Sequence, residues 1–151
     1  MAERSPAQLY ALVFGIVLIA AGVVGFFYEA SFAVGDDTLV ERDAVLGILD
    51  VNGWHNLVHI LSGVVGLAVV GSYANARVYA LAFGGIYIIV AILGFIYGDG
   101  DSIFKLVPVN TEDNILHALI GVAGLGAGMA TPADPAPTTV PSARPDSAPA
   151  S

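Results

Sequence analysis

There is no cysteine among the 151 residues. That excludes disulfides, thiolate metal sites and cysteine nucleophiles. Charge is scarce too: Asp, Glu, Lys and Arg make up 12% of the chain, about half the share in a soluble domain. Basic residues are scarcest, 5 against 13 acidic ones, and a net charge of −8 repels nucleic-acid phosphates. Nucleic acid is therefore not an expected partner. No glycine-rich loop cradles phosphate and no nucleophile stands beside a general base, so the chain is not expected to be an enzyme. What is abundant is apolar: 56% hydrophobic residues and a further 18 glycines. That is too much for an ordinary soluble globule or a disordered chain.

The apolar residues fall into four runs. Leu9–Phe27 and Val78–Tyr97 carry no charge. Gly53–Val70 and Thr111–Ala130 are polar toward their starts, with Trp54, His55, Asn56, His59 and Ser62 in one and Glu112, Asp113, Asn114 and His117 in the other. Roughly 20 helical residues cross a hydrocarbon layer of about 30 Å. None of the runs alternates with period two, which speaks against a β-barrel. The expectation is an all-α integral membrane protein with four transmembrane helices in the lipid bilayer of the cell membrane. A secretory signal would offer Ser31-Phe32-Ala33 for cleavage. But the first run exceeds a signal's apolar core of about 7–15 residues, and Met1–Gln8 pairs its one Arg with a Glu. It is read as retained.

Comparison of the chain with itself shows a repeat. VNGWHNLVHILSGVVGL (51–67) and VNTEDNILHALIGVAGL (109–125) share nine of seventeen residues at a shift of 58. The segments before them, VLGILD (45–50) and IFKLVP (103–108), match more weakly. LYALVFGIVLIAAGVVGFFYE (9–29) and VYALAFGGIYIIVAILGFIYG (78–98) share nine of twenty-one at a shift of 69. The expected organisation is a segment 1–8, a first helical hairpin 9–70 with a long acidic loop 30–52, a short link 71–77, a second hairpin 78–130, and a tail 131–151. Two crossings per unit make the hairpins parallel, related by an axis along the membrane normal. In the tail, 17 of 21 residues are Pro, Ala, Ser or Thr, a composition that predicts disorder. Arg4, Arg77 and Arg144 lie on the face of the termini and the link, against Arg42 and Lys105 in the long loops. The excess places both termini in the cytoplasm. The apolar stretches Ala44–Leu49 and Ile103–Val107 are too short to span, and are expected at the interface or folded back over the bundle.

Asn52, Asn56, His59, Gly63 and Gly66 are spaced 4, 3, 4, 3 and share one helix face. Asn110, Asn114, His117, Gly121 and Gly124 repeat it. Asn52 and Asn110 suit helix N-caps. The glycines permit close approach of another helix, and Gly15, Gly22 and Gly25, matched by Gly84, Ala91 and Gly94, are the expected receiving face. The favoured reading makes this stripe a fastener in a small structural or accessory membrane protein, dimeric through its small-residue faces and needing no cofactor. The alternative starts from intramembrane ionisable residues as functional candidates. His55 and His59 stand at i, i+4, as do Asp113 and His117 in the second copy. Three imidazoles and a carboxylate suit a divalent metal in an ion- or small-solute-binding or transport module. Haem between His59 and His117 ranks below metal. His55 could equally face the headgroups beside Trp54.

The pattern Val-Asn, Asn-x-x-His, Gly-x-x-Gly, preceded by an apolar segment, resembles a family of small bacterial membrane proteins known only as a domain of unknown function. The matching residues are LVPVNTEDNILHALIGVAGL (106–125) and VNGWHNLVHILSGVVGL (51–67). The resemblance covers about residues 7–130. It implies four transmembrane helices and supplies no activity, cofactor or partner.

Overall fold

The computed structural model describes residues 3–39 and 44–133. Four helices carry the fold: α1 Pro6–Gly25, α2 Gly53–Val69, α3 Tyr73–Tyr97 and α4 Thr111–Met129. A single 3-10 turn, Gly35–Leu39, lies in the first long loop. A two-strand hairpin, β1 Ser102–Ile103 and β2 Val107–Pro108, lies in the second. Helix α1 packs chiefly on α2, and α3 on α4. By length and composition, α1 and α3 are apolar enough to cross a membrane.

Local chemistry sets the helix ends. Ser5 caps α1 in a reciprocal box with Gln8, and Pro6 occupies the first turn. Proline's missing N–H costs nothing there. The helix therefore starts three residues before the apolar run. Ser72 caps α3 through the Asn75 amide. That starts α3 at Tyr73 and shortens the expected 71–77 link to Val70–Ser72, because a hydropathy run ignores caps. Asn52 and Asn110 cap α2 and α4, accepting the amides of His55 and Asp113 at 2.9 Å each.

The expected tail also begins later than its composition suggests. Thr131 is fully buried. Its hydroxyl donates to the Ala127 carbonyl at 2.9 Å and accepts the Ala7 amide at 3.0 Å. Its carbonyl accepts from Arg77 Nε at 2.8 Å. Thr131 thus ties the end of α4 to α1 and α3, satisfying terminal groups that a helix leaves open. The rest of the tail from Asp134, with Arg144, and Arg42 of the first loop lie outside the described residues.

The interior is small and aromatic. Ala7, Tyr10, Ala11 and Leu18 of α1 form a buried cluster with Ala76, Tyr79, Ala80 and Tyr87 of α3 and Ile120 of α4. Tyr10 donates to the Ile120 carbonyl at 3.3 Å, and Tyr79 to the Ser62 carbonyl at 3.0 Å. These two clasps occupy like positions at the shifts of 69 and 58.

The long loops close the other end. Both make a tight turn with positive φ at the two central residues, Leu46 (56°) and Gly47 (74°) in one, Phe104 (52°) and Lys105 (56°) in the other. That is the signature of a type I′ turn, whose twist suits a hairpin. Each turn is held by the other half's cap residue. Asn52 Nδ2 donates to the Leu106 carbonyl at 2.6 Å, and Asn110 Nδ2 to the Ile48 carbonyl at 2.8 Å. The weak match of VLGILD with IFKLVP thus corresponds to a shared backbone shape.

Candidate metal centre

The polar stripe of α2 lies against α1, and that of α4 against α3. A Cβ on Gly25 would collide with Asn56 Oδ1, and one on Gly94 with Asn114 Oδ1. Deeper in the bundle, Gly15 abuts Leu67 and Gly63, Gly22 abuts the Asn56 carbonyl and Ile60, and Gly63 meets Ile19. In the other half Gly84 abuts Gly121, Gly124 and Leu125, and Gly121 meets Ile88. Gly66 and Gly124 accommodate the hydroxyls of Tyr79 and Tyr10. All nine glycines thus pack against neighbours within the chain.

The histidines do something different. His55 and His117 are buried and His59 is half-buried. One ring nitrogen from each lies within 4.8 Å of the others. Ring centroids are 4.4 Å apart for His55–His59, 5.6 Å for His55–His117 and 6.1 Å for His59–His117. His55 therefore points inward, toward the other two rings. Trp54 is half-buried, its indole donating to the Phe32 carbonyl at 3.1 Å.

Hydrogen bonding selects the tautomer of His55. Its Nδ1 lies 3.1 Å from the Asp50 carbonyl. A carbonyl only accepts, so Nδ1 carries the proton and Nε2 keeps its lone pair. Metal-ligating histidines are commonly oriented by such a bond. His55 Nε2 and His117 Nδ1 are buried and have no hydrogen-bond partner among the described residues. Leaving buried polar atoms unpaired costs roughly 1–3 kcal/mol each.

Asp113 lies outside the imidazole trio, correcting its expected place as a fourth ligand. One of its oxygens accepts the Asp50 amide at 2.9 Å. Asp50 therefore gives its N–H to Asp113 and its carbonyl to His55. Asp113, the counterpart of His55, holds the segment that orients His55.

Beside the trio is a cavity of about 220 Å³. Sequence reasoning singled out neither Ser62 nor Tyr87 as site residues, yet both line it. A signal was there: at the same repeat positions stand Ile120 and Leu18. Ile103 and Phe104 of the second loop close one end, so that apolar stretch folds back over the bundle. Outside the cavity, Lys105 bonds Asp36, and this hydrogen bond, with the ammonium charge, holds the exposed Asp36 carboxyl below its usual range.

Bonds of about 2.0–2.1 Å to a tetrahedral zinc bring nitrogen ligands to about 3.4 Å from one another. The trio needs small ring movements to close to that distance. Three imidazoles leave one coordination position for an outside donor.

The family described as a domain of unknown function (DUF4383) matches residues 8–130. The chain belongs to that family. The match takes in α2, α3, α4, all but the first two residues of α1, and the trio, and brings no function with it. No curated protein and no solved structure matches the chain.

Proposed function

We propose that this family member is a multi-pass protein of the cell membrane that binds a divalent transition metal, zinc by ligand type, at His55, His59 and His117. The observation that carries this is the convergence of three imidazoles with two buried, unpartnered ring nitrogens. The chain's role is binding, with no catalysis required of it. Asn56, Asn114 and the glycines supply the fastening that the sequence first suggested for the whole stripe. The histidines are left over from that task.

Membrane insertion of all four helices, as two tandem parallel hairpins with cytoplasmic termini, is part of the proposal. It is supported by large apolar side chains on the outside of every helix. Ile16, Val23, Val64, Ile89, Ile92, Leu119 and Val122 are each 45–62% exposed. Extended exposed apolar surface marks an interaction or membrane-facing side. On this reading the cap residues Asn52 and Asn110 and the acidic first turn of α4 stand toward the headgroups. The cavity of about 220 Å³ is below the roughly 300 Å³ at which pockets for drug-sized ligands begin. That favours an ion over a porphyrin.

The test is elemental analysis of detergent-purified protein beside the His59→Ala/His117→Ala double variant. One zinc, cobalt or nickel ion per chain, absent from the variant, is expected. Bound metal should also be shed as pH falls, because each ligand must be deprotonated. A metal-free wild type that takes up none of these ions on addition would overturn the reading.

A further inference from the structure

We infer that the cavity beside the histidines binds a neutral, lipid-soluble molecule with a single-ring hydroxylated headgroup, which enters sideways from the bilayer between α2 and α3. This rests on the proposed metal reading in one respect: the bound ion takes the ligand's oxygen as its fourth donor.

The cavity surface is almost wholly apolar. The imidazole trio stands along one side of it, with His55 Nε2 and His117 Nδ1 buried and unpartnered among the described residues. Ser62 and Tyr87 are the other polar residues lining it. The remaining walls are aliphatic or aromatic, Val90 and Ile103 among them. Walls of that kind penalise a charged ligand and tolerate a neutral one whose single oxygen goes to the bound ion. Size narrows the choice. An apolar cavity of about 150 Å³ accepts a benzene ring, so about 220 Å³ accommodates one substituted ring and excludes larger ring systems.

The route follows from which wall residues are exposed. Val58 on α2 is 52% exposed, Ile86 on α3 50%, and Phe104 on the second loop 68%. The first two stand on the outer faces of helices read as membrane-spanning, so they meet acyl chains and not water. Helices α2 and α3 pack on each other far less than either packs on its own hairpin partner. The seam is therefore the loosest wall. Phe104 is held at its rim with φ 52°, a conformation costly for a bulky residue and found where surroundings enforce it.

The test uses the full chain in detergent, with cobalt(II) as the metal and a fluorinated octylphenol as the ligand, followed by fluorine NMR. A saturable bound signal is expected, moved strongly by the paramagnetic ion. Val58→Trp and Ile86→Trp, both outward-facing and so compatible with folding, should each weaken octylphenol binding at least tenfold while cobalt content stays unchanged. Circular dichroism establishes that they fold. No saturable signal in the wild type, unchanged binding in both variants, or equal binding of a membrane-impermeant sulfonated phenol would overturn the inference. A saturable signal, lost in both variants, from a chain that takes up no cobalt would overturn the metal reading and support the lateral site.

Discussion

The two halves of this molecule share a scaffold and differ in what they do with it. In each, a cap asparagine starts the second helix, a deeper asparagine lies against a glycine of the first, and a tyrosine clasps the opposite half. A few of the differences bear on the site. Where the first stripe has His55, the second has Asp113. Where α2 and α3 put Ser62 and Tyr87 beside a cavity, α4 and α1 put Ile120 and Leu18, both buried in the core. A cavity lies beside Ser62 and Tyr87, while Ile120 and Leu18 pack into the apolar core and gain contacts that side chains facing a cavity forgo.

Substitutions at paired positions separate the shared part from the divergent part. The largest effect is expected at the shared glycines. Gly25→Ala and Gly94→Ala each drive a methyl into an asparagine carbonyl. Each should cost about 3 kcal/mol, the upper part of the overpacking range. Thermal unfolding in detergent measures both. A severalfold difference between the two would break the equivalence of the halves.

Next comes the divergent pair. Asp113→Ala frees the Asp50 segment that orients His55. Metal affinity should fall about tenfold, the lower end for groups that position ligands. Asp113→Asn should restore part of it, because an amide oxygen still accepts the Asp50 N–H. Isothermal titration of the metal distinguishes this from a general loss of stability, which would lower the melting temperature without a rescue.

The smallest effects should come from the caps. Asn52→Ala and Asn110→Ala should each lose about 1 kcal/mol of stability. Only Asn52→Ala should also loosen the loop beside the cavity, since Asn52 anchors Leu106. Hydrogen exchange at Phe104 and Lys105 reads that loosening. Equal protection in the two variants would show that the loops respond alike.

Much of the scaffold was legible because its causes are local or repetitive. Helix α2 begins where Asn52 offers a capping oxygen, and α4 where Asn110 does. Gly25 and Gly94 were identifiable as partners for the stripe because the same spacing occurs twice. The misjudged boundaries have local causes as well. Ser5, Ser72 and Thr131 are small hydroxyl residues whose weight lies in a hydrogen bond, which hydropathy does not register.

The site was only half legible. Spacing placed His55 with His59 on α2 and Asp113 with His117 on α4. It gave no information on which side chains cross between those helices. The amino-acid sequence by itself determined four helices, their caps and the faces on which each hairpin packs, since these follow from periodicity of about 3.6 and from the side chains at helix ends. Only the tertiary structure decided that His117 joins His55 and His59 while Asp113 turns to the Asp50 amide. That choice depends on where the loop before α2 passes over the start of α4, a contact between residues 63 positions apart, and no local pattern encodes it.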